Sequence, residues 1–78
     1  MSDNPPIATL DLSGLLCPLP VLKARKKLEA MATGQVLEVI ATDAMSMIDM
    51  PHFCMEQGHV ILSAEKRADQ YVFRIQRR

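Results

Sequence analysis

The tetrapeptide Cys17-Pro18-Leu19-Pro20 leaves the backbone few conformations to choose from. Two prolines one residue apart fix two φ angles and remove two amide donors, and both losses are tolerated together in the first turn of a helix, where amide groups have no intrahelical partner. Gly14-Leu15-Leu16 leads into the tetrapeptide and Val21 continues it, so the stretch reads as a turn that opens a helix. Cys17 falls at or beside the N-cap.

That placement has a chemical consequence. Free amide groups and aligned peptide dipoles put partial positive charge at a helix N-terminus, which stabilises a thiolate over its thiol. A cysteine pKa near ~8.5 falls to roughly 3.5 to 7.5 at such sites. With Pro18 and Pro20 unable to donate, the amides of Leu19 and Val21 are expected to face the sulfur. The competing reading of Cys17 is a small apolar filler, since cysteine is among the most buried residue types. A filler needs no rigid helix-opening turn, so the flanking prolines favour a reactive sulfur.

Seventy-eight residues make one small domain with a modest core. The 49% hydrophobic and 23% charged content is that of a globular chain. Nine basic residues against nine acidic argue against a dedicated non-specific nucleic-acid binder. Cys17 and Cys54 form no Cys-x-x-Cys pair and no disulfide-dense framework. No apolar run is long enough for a membrane span, and Met1 to Pro6 lacks the features of a signal peptide. The expected compartment is the reducing cytoplasm, and the expected form is a monomer.

Along the chain, residues 1–6 are expected to be a loose tail before a single domain over 7–78. Ala8, Leu10 and Leu12 alternate with Thr9 and Asp11, which predicts a half-buried strand over Ile7 to Leu12. A helix from Pro18 to about Ala32 follows, with Val21, Ala24, Leu28 and Met31 on its apolar stripe and Thr33-Gly34 as its stop. Its other face carries Lys23, Arg25, Lys26, Lys27 and Glu29. Basic residues early in a helix oppose the dipole by a few tenths of a kcal/mol each. This face is a solvated one, a docking surface for acidic partner proteins or an anionic acceptor, or both at once.

Val36 to Ala41 is β-branched and apolar enough for a central strand. Asp43, Ser46 and Asp49 are competent N-caps for a second helix that runs to about Gln57 and is closed by Gly58. Pro51 kinks that helix or delays its regular part to near Asp49. Met47, Met50, Phe53 and Cys54 form its core face, and packing explains its methionines better than a soft-metal site does. His52 and Cys54 project on nearly opposite sides of a helix, and no metal site is expected. Strands Val60 to Ala64 and Tyr71 to Gln76 finish the chain around a polar Lys66 to Gln70 connection. The order βαβαββ, with two helices on one face of a mixed four-stranded sheet, makes a two-layer α/β sandwich.

No histidine or carboxylate lies near Cys17 in sequence, so no base for a catalytic cycle is identified. A helix-tip thiolate could take the terminal sulfur of a donor persulfide and yield it to another thiol by exchange. That describes a carrier better than a self-sufficient enzyme.

Asp11-x-x-Gly14-Leu15-x-Cys17-Pro18-x-Pro20-Val21, with Lys26-Lys27 and Asp49-x-Pro51-x-Phe53-Cys54-x-x-x-Gly58-His59, resembles the TusA/SirA family of sulfur carriers over nearly all of the chain after the tail. The resemblance implies the same βαβαββ sandwich. It implies that Cys17 carries sulfur as a persulfide, supported by Gly14, Pro18 and Pro20, with no cofactor. The implied donor is a cysteine desulfurase or rhodanese-like protein, and the recipient is a downstream acceptor protein. Family members serve tRNA thiolation, molybdenum-cofactor maturation and sulfur oxidation. Leu19 stands between the prolines here, where tRNA-thiolation members carry a glutamate, and a side chain there can tune partner choice. Docking is assigned to Lys23, Arg25, Lys26 and Lys27.

Two rival readings come from other classes. A small RNA-binding module would place Lys23 to Lys27 on phosphates, and its binding would weaken steeply with salt. A thiol-redox regulator would need Cys17 and Cys54 within disulfide range.

Overall fold

In the computed structural model, which describes residues 7–78, the element order is β1 (Ile7–Leu12), α1 (Leu19–Glu29), β2 (Val36–Ala41), α2 (Ser46–Gln57), β3 (Val60–Arg67) and β4 (Gln70–Gln76). The tail expected over residues 1–6 lies outside the described residues. The strands form one sheet in the order β1-β2-β4-β3. β1 and β2 run parallel, with Ile7 opposite Val36 and Leu12 opposite Ala41. β4 is antiparallel to both β2 and β3, so the sheet is mixed, as its sequence order requires. The expected βαβαββ two-layer sandwich is the fold.

Alternation decides which face of the sheet meets the helices. Leu12, Leu37, Val39, Ala41, Phe73 and Ile75 join Ala24 and Leu28 of α1, Met31 just after it, and Met50, Phe53 and Cys54 of α2 in one buried cluster. Val72 points to the uncovered face yet is buried, because it sits on an inner strand between Ile40 and Glu65. On the same face Arg74 and Glu38 form an ion pair across β4 and β2 at 3.1 Å.

Several boundaries depart from the sequence reading. α1 ends at Glu29, not near Ala32, and Gly34 serves another purpose: its amide donates to the Arg77 carbonyl at 2.9 Å. Arg77 in turn donates from Nε to the Leu28 carbonyl at 2.6 Å, an acceptor it shares with the Met31 amide at 3.1 Å in the tightened last turn of α1. Pro20 replaces Val21 among the buried residues of α1, and Val21 is only partly covered. α2 begins at Ser46 and continues through Pro51, without the bond that another residue would give to the Met47 carbonyl. Met47, expected in the core, is exposed, and Ser46 is buried in its stead. Gly58 closes α2 at φ +80°, as anticipated.

The last hairpin is longer than its composition suggests. β3 reaches Arg67 and β4 starts at Gln70, leaving Ala68 and Asp69 as a two-residue turn with Ala68 at φ +52°. An irregularity between Ile61 and Ser63 leaves Leu62 unpaired, which shifts the alternation so that Ala64 pairs with Phe73.

Candidate functional site

Because β1 and β2 are parallel neighbours, their carboxyl ends lie side by side, and the loops leading into α1 and α2 start from the same edge of the sheet. Three hydrogen bonds tie the first loop to the second and to the first turn of α2. The Gly14 amide donates to Thr42 Oγ1 at 2.8 Å. The Cys17 amide donates to Asp43 Oδ2 at 2.6 Å, and the Cys17 thiol donates from Sγ to Asp49 Oδ2 at 2.9 Å.

Each tie has a local cause. Gly14 sits at φ +82°, a left-handed conformation that an L side chain resists, and this turns the chain back towards β2. Asp11 accepts from the amide and hydroxyl of Ser13, at 3.0 and 2.6 Å, which pins the turn from its other side. Asp43 uses both carboxylate oxygens: Oδ2 holds Cys17 while Oδ1 accepts from the Met45 amide at 3.1 Å, at the entry to α2. One side chain thereby fixes the cysteine loop against the start of the second helix.

Cys17 is exposed and immediately precedes Pro18, the N-cap of α1. This is where the prolines place it. The electrostatic expectation is overturned. The Leu19 amide is taken by the Leu16 carbonyl at 2.9 Å instead of facing the sulfur. The thiol's own hydrogen bond to Asp49, then desolvation, then the charges of Asp49 and Asp43, raise the Cys17 pKa above its ordinary value. These influences favour the neutral thiol over the thiolate.

From Cys17 a groove of about 400 Å³ runs between the helices, lined by Val21, Leu22 and Arg25 on one side and Asp49, His52 and Phe53 on the other. Arg25 Nε pairs with Glu29 at 3.2 Å, and His52 Nε2 stands 3.2 Å from Glu56. Leu16, Leu19 and Leu22 are exposed, Leu16 by 69%, so the rim near the sulfur is apolar. The four basic residues expected to act together are divided. Arg25 lines this groove, whereas Lys23, Lys26 and Lys27 border a second hollow with Leu10 and Ala30, beside β1.

Cys54 is buried in the core, both cysteines are free, and burial pushes the Cys54 thiol up to about 11. Among the described residues no cluster of three or more histidine, cysteine or acidic side chains is placed to hold a metal ion. No described helix is long and apolar enough to cross a membrane. The carboxylates around Cys17 were missed by sequence reasoning, which treated Asp43 as a helix cap and Asp49 as a cap and part of the family pattern, without placing either beside the sulfur. Their separation from Cys17 by 26 and 32 positions hides them from any local pattern.

Comparison with known proteins agrees with this architecture. The family model described as sulfurtransferase TusA matches residues 8–77. The sulfur carrier protein TusA of Allochromatium vinosum is 44% identical over 68 residues, covering 87% of this chain and 90% of that protein. The sulfur carrier protein TusA of Pseudomonas entomophila is 42% identical over 71 residues, covering 91% and 89%. The crystal structure of a SirA-like protein from Desulfitobacterium hafniense superposes with a TM-score of 0.77 at 27% identity, over 90% of this chain and 95% of that one.

Proposed function

The chain belongs to the TusA/SirA family of sulfur carrier proteins, and on that footing we propose that Cys17 is the atom-carrying residue of a persulfide relay. The observation that supports this most is the contrast between its two sulfurs. Cys17 is exposed at the head of a groove in loops stitched to each other, and Cys54 is enclosed in the core.

In this reading the donor is a cysteine desulfurase or a rhodanese-like protein that presents a cysteine persulfide. Cys17 attacks its outer sulfur, the donor's S–S bond breaks, and the donor cysteine is left as a thiolate. A thiolate of the acceptor protein then attacks the outer sulfur on Cys17 and removes it. The recipient pathway is tRNA thiolation, molybdenum-cofactor maturation or sulfur oxidation. Gly14, Pro18 and Pro20 support the loop, and the leucine rim gives a partner an apolar footing. Arg25 contributes to docking from the groove, while Lys23, Lys26 and Lys27 offer a separate basic face to an acidic partner.

Incubation with a cysteine desulfurase and free cysteine tests the reading by intact mass. Wild type and Cys54→Ser gain one sulfur, and Cys17→Ser gains none. Sulfur retained by Cys17→Ser overturns the assignment.

A further inference from the structure

A neutral thiol is a poor nucleophile, so the proton on Cys17 must leave as the new S–S bond forms. The groups that face it are few. Asp43 approaches from the β2–α2 loop but is engaged with two backbone amides. Arg25, across the groove on α1, is paired with Glu29, and His52 is adjacent to Glu56. Asp49 Oδ2 alone among the described groups accepts the thiol hydrogen, at 2.9 Å, and it does so from the first turn of α2, a rigid element.

We propose that Asp49 is a catalytic residue of the relay, taking the Cys17 proton during loading and returning it during unloading. This rests on the persulfide-relay reading of Cys17. In loading, Cys17 Sγ forms a bond to the outer sulfur of the donor persulfide R–S–SH while the donor S–S bond breaks. The donor sulfur departs with the electron pair as a thiolate, and the Cys17 proton passes to the Asp49 carboxylate. The donor is reduced from persulfide to thiolate and Cys17 is oxidised from thiol to persulfide, so no outside oxidant is required. In unloading, an acceptor thiolate takes the outer sulfur. Cys17 Sγ leaves with the bonding pair and is reprotonated by Asp49, which returns to the carboxylate. A leaving group protonated as it departs leaves more readily than a bare thiolate of raised basicity.

Asp49→Asn keeps the side-chain shape and tests this with two reactions of the same sulfur. Alkylation of Cys17 by iodoacetamide depends on thiolate alone, and sulfur loading from glutathione persulfide depends on thiolate and on assistance to the thiol; both are followed across pH by the mass of the Cys17 peptide. Removing the carboxylate makes the thiolate easier to form, so alkylation at neutral pH becomes faster. Loading becomes slower, by about tenfold near neutrality, because a positioned base is lost. Opposite movement of the two rates is the signature. Two rates that rise together, or do not move, overturn the role of Asp49, since a carboxylate that merely suppresses the thiolate would slow both reactions in the wild type. Asp49→Ala, with its fold checked by circular dichroism, repeats the comparison without an amide in place. Failure of the wild type itself to load sulfur would count instead against the relay reading, and the alkylation profile would still report on the thiol–carboxylate pair.

Discussion

At Cys17 two opposing fields meet. The start of α1 favours a negative sulfur, but dipole effects at a helix end are worth about 0.3 to 1 kcal/mol near the surface, and the Leu19 amide already has a partner. A direct hydrogen bond to the Asp49 carboxylate at 2.9 Å, backed by the Asp43 carboxylate in the loop before α2, prevails. Asp43 acts by geometry as well as by charge. Asp43→Ala removes the acceptor of the Cys17 and Met45 amides and destabilises the fold by about 1 kcal/mol, which a urea titration can measure. The same substitution removes one of the charges that raise the Cys17 pKa, so iodoacetamide labels the residue faster at neutral pH. Labelling that stays unchanged would leave Asp43 with a purely structural part.

The elements are joined by turns whose backbone demands differ. Gly58 ends α2 at φ +80°, and a Cβ there would stand 3.0 Å from Arg78 Cδ. Gly58→Ala therefore lowers stability by about 1 kcal/mol. Ala68 occupies the same left-handed region, at φ +52°, in the two-residue turn between β3 and β4, where glycine is the residue that fits. Ala68→Gly raises the urea midpoint, by an amount equivalent to about 0.5 to 1 kcal/mol. Opposite signs are expected because the two exchanges run in opposite directions, alanine replacing glycine at Gly58 and glycine replacing alanine at Ala68, both in left-handed backbone.

For the molecule as a whole, the buried thiol of Cys54 couples stability to alkaline pH. Its folded-state pKa is pushed to about 11 from an ordinary value of 9.0, so between those values the unfolded chain has lost a proton that the folded chain keeps. Stability therefore falls as pH rises through that window, and the Cys17 shift acts in the same direction. His59 acts at the other end. Burial, then Arg77 and Arg78, lower its pKa below 6.5, so acidification below that value favours the unfolded chain. The urea midpoint is expected to drop between about pH 8 and about pH 10.5 more in wild type than in Cys54→Ala, compared within each protein. Equal slopes would show that the Cys54 thiol ionises in the fold as freely as in the open chain.

How much of this was legible beforehand follows from the range of each interaction. β1, β2 and the end of α2 were readable to the residue, because period-two alternation, β-branching and a left-handed glycine are written within a few positions. So was the place of Cys17 at the head of α1, since two prolines admit few alternatives. The end of α1 was not: its last turn tightens on bonds from the Ala30 and Met31 amides to the Lys27 and Leu28 carbonyls, and Arg77, 49 positions from Leu28, braces it there. Nor was the protonation state of the sulfur. Local order could place Cys17 beside a dipole, but only the parallel pairing of β1 with β2 carries Asp43 and Asp49 to it, and a charge within hydrogen-bond reach outweighs the partial charge of a helix end.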